Sequence, residues 1–183
     1  MIALRYGALQ EVEQSREYLT EDDLSSIEGL SPHRAAERLS ARALLREELR
    51  VRGLPESENR LLYSSSGAPY IENSELHISI SHSPAMVAIV ISDAPCGVDI
   101  ECVNRNFAAI KSRFCRPSEE LIAPLPLIWS AKEAVYKIKR RPGVELLRDI
   151  EIIAADSSSI TTSENITLQH SSTLAPGHII VWG

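Results

Sequence analysis

Three strand-like runs between residues 76 and 101 constrain the fold more than any other feature of the sequence. In 76–81, apolar and polar residues alternate, which predicts a strand with one buried face. Residues 86–92 are apolar almost throughout and predict a central strand. An Asp-Ala-Pro turn then leads into a third run, 97–101. Because only short turns separate the runs, we expect an antiparallel meander.

Two helices are predicted, one before these strands and one after them. The first begins at Ser31 and Pro32, where a capping residue precedes a proline that suits the first helical turn. It should continue to about residue 50, and we expect the meander to pack on it. The second helix is predicted from about 127 to 140, after two prolines and before Pro142-Gly143.

Further strand-like runs follow the second helix, at 149–154, 165–169 and 178–182. The order of a helix and strands therefore occurs twice in the chain. It predicts an α+β fold of two similar lobes, each a helix packed on a small antiparallel sheet, with approximate boundaries 1–101 and 102–183.

The composition argues against several classes of protein. The formal net charge of −6 argues against a general nucleic-acid binder, and no apolar run reaches the roughly 18–20 residues of a membrane helix. The N-terminus turns acidic too early for a secretory signal. The three cysteines show no C-x-x-C spacing, which is typical of free thiols in a reducing compartment and argues against structural zinc. We therefore expect a cytoplasmic protein with no membrane and no nucleic-acid partner.

Positive charge is concentrated in one part of this acidic chain. Between residues 102 and 148 there are ten basic and four acidic residues, and all four lysines lie there. A local anionic partner would explain this cluster, and so would a solvated basic face.

Asp99 and Glu101 are candidate metal ligands. Residues i and i+2 of a strand share a face, so both carboxylates project together while Val98 and Ile100 point into the core. Adjacent carboxylates repel each other unless a cation lies between them, and a hard divalent cation resolves that conflict. The alternative is an exposed strand edge with two solvated acids.

The second predicted helix has two stripes of side chains. The apolar stripe comprises Ile128, Ala131, Val135 and Ile138. Trp129, Glu133 and Lys137 are spaced by four residues and share another face. Glu133 and Lys137 could be a third metal carboxylate and a phosphate-binding ammonium, or an ordinary exposed ion pair.

Two further groups could bind phosphate. Ser81 and His82 lie at a strand end, where hydroxyl, imidazole and backbone N–H groups can hold an anion, although a lone histidine there is more often a turn residue. On the first helix, an arginine recurs every four residues, at Arg34, Arg38, Arg42, Arg46 and Arg50. This row spirals around the helix, so only its first three members could share one face. For Arg46 and Arg50 we expect solvated side chains.

Together, these motifs resemble the 4′-phosphopantetheinyl transferase superfamily, specifically its two-lobed type first described for the activation of surfactin synthetase. The resemblance covers about residues 33–137. Its motifs are H-R-A-A-E-R-L-S-A-R-A-L-L (33–45), G-A-P-Y (67–70), I-S-I-S-H-S (78–83), G-V-D-I-E (97–101), R-F (113–114) with S-E-E (118–120), and W-S-A-K-E-A-V-Y-K (129–137). The fourth and last motifs are specific as a pair, and neither is specific alone.

The resemblance implies an enzyme that transfers the phosphopantetheine arm of coenzyme A to a serine of an acyl or peptidyl carrier protein and releases adenosine 3′,5′-bisphosphate. It implies Mg²⁺ ligands at Asp99, Glu101 and Glu133, with Glu133 as the candidate base, directly or through a water. Lys137 would contact the pyrophosphate. Contacts to coenzyme A are implied at Arg34, Arg42, Gly67, Pro69, Ser81, His82 and Lys132. Alanine replaces the family's lysine between Gly67 and Pro69.

The partners implied are coenzyme A and an apo carrier protein of fatty-acid, polyketide or peptide synthesis, which the basic segment 105–141 would attract. Two lobes in one chain favour a monomer. A non-catalytic coenzyme A- or nucleotide-binding regulatory module is the alternative, but such a module needs no three carboxylates around a metal. A metal-dependent phosphohydrolase is a third possibility, although nothing in the sequence marks a water nucleophile.

Overall fold

The computed structural model describes residues 1–9, 19–55 and 59–183. The chain divides into two compact units, Met1–Ala94 and Pro95–Gly183. The division therefore lies before the run 97–101, whereas the lobes expected from the sequence divide after it. Helices and antiparallel sheets make up the described residues of both units, so the predicted α+β class is confirmed. No helix in the described ranges is both long and apolar enough to cross a membrane.

Unit 1 contains five described strands and two helices. In chain order they are β1 (Ala3–Ala8), α1 (Glu21–Ser25), α2 (Pro32–Val51), β2 (Leu61–Tyr63), β3 (Pro69–Ile71), β4 (His77–His82) and β5 (Met86–Ser92). Strand β5 lies between β1 and β4 in an antiparallel sheet, and β2 pairs with β3. Strands β4 and β5 agree with the runs predicted from the sequence, whereas β1, β2 and β3 were not predicted.

Helix α2 forms as the sequence predicts. The Ser31 side chain accepts a hydrogen bond from the backbone N–H of Arg34, and Pro32 occupies the first turn, where its missing N–H is not needed. Leu45 and Leu49 are fully buried on the helix and join the core with Ile89 and Ile91 of β5. The predicted packing of these strands on the first helix is confirmed.

The arginine row on α2 differs from the expected solvated stripe. Arg46 is 1% exposed, and its guanidinium donates to both carboxylate oxygens of Asp23 at 2.9 and 3.2 Å. Arg42 is also buried and lies 3.1 Å from the same carboxylate. The expectation for Arg46 is wrong because α1 places an acid against the buried face of α2, and an arginine can be buried when it is paired.

Unit 2 is built on a five-stranded antiparallel sheet. Its elements are β6 (Val98–Cys102), the 3₁₀ helices Phe107–Arg113 and Glu119–Leu121, α3 (Leu125–Lys139), α4 (Leu146–Asp149), β7 (Ile152–Ala155), β8 (Ser159–Thr162), β9 (Thr167–Ser171) and β10 (His178–Trp182). The strand order is β6-β10-β9-β8-β7.

The third strand of the expected meander, β6, belongs to a different sheet from β4 and β5. It pairs with β10, so that Asp99 lies opposite Val181 and Glu101 opposite Ile179. The meander prediction is therefore wrong for this strand. Short connections favour pairing between strands that are neighbours in the sequence. Strand β6 instead pairs with the distant apolar strand β10, and the spacing of the first three runs does not predict that pairing.

Helix α3 packs on this sheet with the apolar stripe that the sequence predicts. Ile128, Ala131 and Val135 are at most 1% exposed and lie in one core cluster with Ile179 and Val181. Prolines occupy its N-terminal turn, and the left-handed φ of 45° at residue 140 ends it. The opposite stripe of α3 is thus placed beside the acidic face of β6.

Candidate active site

A glycine allows β6 to approach α3 closely. A Cβ atom at Gly97 would lie 2.0 Å from the backbone oxygen of Ala134 and 2.9 Å from the side chain of Ile138. Only glycine fits this contact without a shift of the strand or the helix. The first residue of the G-V-D-I-E motif therefore sets how near the acidic strand lies to the helix.

Asp99 meets the helix through Lys137. The Lys137 ammonium donates to the Asp99 carboxylate at 3.0 Å and to the backbone oxygen of Val98 at 2.8 Å. Asp99 is 5% exposed, whereas the Lys137 side chain is 25% exposed. A cation in contact offsets part of the cost of burying a carboxylate. The structure thus brings together two of the residues predicted to act together.

Glu101 is bound by two donors at the same oxygen. The indole N–H of Trp129 donates to its Oε1 at 2.9 Å, and the Arg105 guanidinium forms an ion pair with that oxygen. Arg105 also lies over the Trp129 ring, 4.8 Å from its centroid. The side chain of Glu101 is 14% exposed. These contacts fix one edge of the carboxylate.

Glu133 lies near Asp99 and Glu101, and these three residues are called the acidic group below. Burial raises the pKa of Glu133 above its usual value, and the charge of Asp99 raises it further, while Lys137 opposes the shift. The pKa of Glu101 is raised by burial and by Asp99 in the same way. The three carboxylates are therefore close enough to repel one another.

The carboxylate oxygens of Asp99, Glu101 and Glu133 are suitable ligands for a hard divalent cation. In this structure, however, they are not arranged around a common point. Across residues 1–9, 19–55 and 59–183, no three His, Cys, Asp or Glu side chains are arranged so that they could hold a metal ion together. In this structure Asp99 and Glu101 are instead paired with the cations Lys137 and Arg105. Carboxylate oxygens are the ligands that Mg²⁺ prefers.

Lys132 lies away from this group, in the interior of unit 2. Neither Lys132 nor Glu119 exposes its side chain, and the two form an ion pair of 2.7 Å. The ammonium also donates to the backbone oxygen of Leu146. Burial lowers the pKa of Lys132, and Glu119 opposes that shift. In this arrangement Lys132 faces Glu119 and the chain around it, and no surface is available for the coenzyme contact expected from the sequence.

The predicted phosphate residues of unit 1 are partly brought together. A cavity of about 360 Å³ is lined by Arg34, Arg38, His82 and Glu37, among others. Glu37 is mostly buried and lies 2.7 Å from the Arg34 guanidinium and 3.0 Å from Nδ1 of His82. The cavity thus has three basic side chains around one acid.

Other predicted coenzyme contacts of unit 1 lie elsewhere. Ser81 is buried within β4, and Arg42 is held by Asp23. Gly67 and Pro69 lie where β2 turns into β3, and the positive φ of 81° at Gly67 explains the glycine. Of these residues, Arg42 has a structural partner that the sequence analysis missed.

Two residues of the acidic group were not singled out from the sequence. Arg105 follows Glu101 by four residues. In a continuous strand this spacing would keep the two side chains apart, but the chain turns after β6 and brings them into contact. Gly97 could have been noticed, since a glycine directly before a buried strand often marks close approach of another backbone.

Comparison with known families gives a match for most of unit 2. Residues 95–178 match the family model of the 4′-phosphopantetheinyl transferase superfamily. The match covers most of unit 2 and includes Asp99, Glu101, Glu133 and Lys137. Unit 2 thus contains a domain similar to this superfamily, and the match supports a transferase of the phosphopantetheinyl transferase kind. No protein among the curated sequences matches the chain. The narrower assignment to the surfactin-synthetase-activating type stays a prediction.

Proposed function

We propose that the chain transfers the 4′-phosphopantetheine moiety of coenzyme A to a serine of an apo acyl or peptidyl carrier protein, with Mg²⁺ as cofactor. The observation that carries the proposal is the meeting of the two superfamily motifs. Lys137 of the helix contacts Asp99 of the strand at 3.0 Å, and Trp129 contacts Glu101 at 2.9 Å. The acids and the lysine required for diphosphate chemistry are therefore next to one another.

Asp99, Glu101 and Glu133 would hold the ion. When bound, Mg²⁺ supplies positive charge that polarises the phosphorus and neutralises the departing group. Lys137 donates its ammonium protons to the phosphate oxygens and adds to that charge. Positioning and electrostatics then provide most of the rate, as in other phosphoryl transfers.

In the reaction, the serine oxygen forms a bond to the β-phosphorus of coenzyme A. The bond between that phosphorus and the bridging oxygen breaks, and adenosine 3′,5′-bisphosphate leaves. Glu133 takes the proton of the serine hydroxyl, directly or through a water, because a neutral hydroxyl is a poor nucleophile.

The cavity of unit 1 is proposed to accept a phosphate. Arg34 and Arg38 supply positive charge, His82 offers its imidazole, and Glu37 holds Arg34 and His82 in place. The resemblance in the sequence also assigns coenzyme contacts to this unit. The cavity and the sequence resemblance therefore favour the same kind of ligand, an anionic group of coenzyme A.

Carrier proteins are proposed to dock on the basic part of unit 2. Lys111 already pairs with Glu120 at 2.8 Å, and Arg116 lies 3.0 Å from Glu151. Arg113 is exposed at the end of its 3₁₀ helix. Since paired charges attract a distant anion less, Arg113 should contribute most to the encounter with an acidic carrier.

The decisive experiment incubates the protein with coenzyme A, Mg²⁺ and an apo carrier protein. Transfer adds roughly 340 Da to the carrier, as the composition of the moiety requires. The variant Asp99→Ala should lose this activity and keep its fold. Glu145→Ala, which removes an exposed acid of the same unit, is the matched control and should behave like the wild type. Near-normal turnover of Asp99→Ala at saturating Mg²⁺ would contradict the metal assignment.

One observation favours a second candidate, a coenzyme A-binding module that does not catalyse. Asp99 and Glu101 are engaged by protein cations, and the described residues contain no preassembled metal ligands. The same incubation separates the candidates, because a binding module retains coenzyme A without labelling the carrier. Release of adenosine 3′,5′-bisphosphate without labelling would instead indicate hydrolysis.

A further inference from the structure

Arg105 is bound to the acidic group by contacts that neither the sequence motifs nor the proposed chemistry assigns. Its guanidinium forms an ion pair with Oε1 of Glu101. The same guanidinium lies 4.8 Å from the ring centroid of Trp129 and 5.3 Å from that of Phe107. Arg105 is 42% exposed, so solvent reaches it. It therefore has a charged partner and an aromatic surface at once.

The aromatic surface is itself rigidly held. Trp129 packs edge-on against Phe114 at 5.1 Å and lies 6.2 Å from Phe107. Phe114 is fully buried, so the ring that supports Arg105 cannot move far. A guanidinium on such a surface keeps a favourable position whether or not it also contacts a carboxylate. Lysine could not do this equally well.

The charges of the group explain why a cation is needed at this place. Asp99, Glu101 and Glu133 bring three acids together, and Lys137 forms its ion pair with Asp99. Arg105 supplies the second positive charge, on Glu101. Without a cation at Glu101, the repulsion between these acids would not be compensated.

We propose that Arg105 is a tethered counter-cation for Glu101, which a divalent cation displaces when it binds to the acidic group. This inference rests on the proposed function, because it assumes that the acids bind the ion. The indole N–H of Trp129 keeps its bond to Glu101 throughout, and the aromatic surface keeps the displaced guanidinium nearby. Arg105 is thus a positioning residue that competes with the ion.

The test measures binding of Mn²⁺ alone to the metal-free protein, by electron paramagnetic resonance. Arg105→Gln should bind Mn²⁺ about tenfold more tightly than the wild type, because it lacks a unit positive charge roughly 6 Å from a divalent ion in a solvent-exposed setting. Arg105→Lys keeps the charge but holds its position less well, so its Mn²⁺ affinity should lie between those of the wild type and Arg105→Gln. Arg141→Gln removes an exposed charge two residues after the end of α3 and serves as the matched control.

A second readout follows the displacement itself. In a Trp182→Phe background, Mg²⁺ should change the fluorescence of Trp129 as the guanidinium leaves the ring. The change should be much smaller when Arg105→Gln is added. A merely structural arginine would not produce this difference.

The possible results separate this inference from the proposed function. Equal or weaker Mn²⁺ binding by folded Arg105→Gln overturns the competition, while transferase activity of the wild type still stands. Binding by the wild type without any change of Trp129 fluorescence overturns the displacement. If the wild type binds no Mn²⁺ at millimolar concentration, the metal part of the proposed function fails, and the inference fails with it.

Discussion

The contribution of the buried ion pair between Lys132 and Glu119 to the stability of unit 2 can be worked out from the structure. In Lys132→Met, Glu119 loses its ammonium partner but stays in the interior with two backbone donors, the N–H groups of Arg116 at 2.7 Å and Ile152 at 2.8 Å. Removing one member of a fully buried pair leaves an uncompensated charge and costs about 3–5 kcal/mol. That is a large part of the total stability of a small domain, about 5–15 kcal/mol.

Urea unfolding followed by tryptophan fluorescence measures this loss, since Trp129 lies on the same helix. Lys111→Met is the matched control, because Lys111 pairs with Glu120 at a similar distance of 2.8 Å while both side chains are well exposed. An exposed pair contributes less than about 1 kcal/mol. The double variant Lys132→Met/Glu119→Gln removes the orphaned charge and should recover at least half of the loss.

Two results would refute the reasoning. If folded Lys132→Met is as stable as Lys111→Met, the ion pair between Lys132 and Glu119 contributes no more than an exposed ion pair does. If Lys132→Met keeps its stability and only raises the KM for coenzyme A, Lys132 reaches the ligand, as the sequence resemblance first implied.

Three further outcomes are expected. Gly97→Ala should lower the free energy of unfolding by about 1–3 kcal/mol or more, because its Cβ would overlap a backbone oxygen of α3; Gly7→Ala, with no atom within 4 Å of the added Cβ, is the control. Arg113→Glu should raise the KM for an acidic carrier several-fold and change its salt dependence more than Lys111→Glu does; equal effects would contradict the docking proposal. Hydrogen bonds from two backbone N–H groups and two serines lower the pKa of Asp156 from 3.8 to about 2, so its stabilisation is complete above pH 3.8 and is lost as the pH falls towards 2. The stability difference between Asp156→Asn and the wild type should disappear over that interval in acid titrations followed by circular dichroism.

The helices and the acidic motif could be predicted from the sequence because their signals are local. A capping serine and a proline define the start of α2, and the period of four along α3 places Glu133 and Lys137 on one face. The alternation in β6 places Asp99 and Glu101 together, and their contacts with α3 agree with this prediction.

The remaining features depend on contacts between distant residues. The pairing of β6 with β10 cannot be deduced from the turns around β6, and nothing near Lys132 in the sequence shows that Glu119 will face it in the interior. Arg46 was expected in solvent because its neighbours on α2 are charged, whereas Asp23 of another helix decides its burial. Charged residues are the hardest to place, since their environment is set by partners rather than by period.

The edge position of β6 in its sheet also governs when the site can form in a cell. Within the described sheet, β6 has one hydrogen-bonded neighbour, β10, whose residues follow about 80 positions later. At a synthesis rate of about 5–20 residues per second, roughly 4–16 s pass between the synthesis of β6 and that of β10. A nascent chain that already carries every proposed catalytic side chain is thus expected to be inactive until β10 emerges.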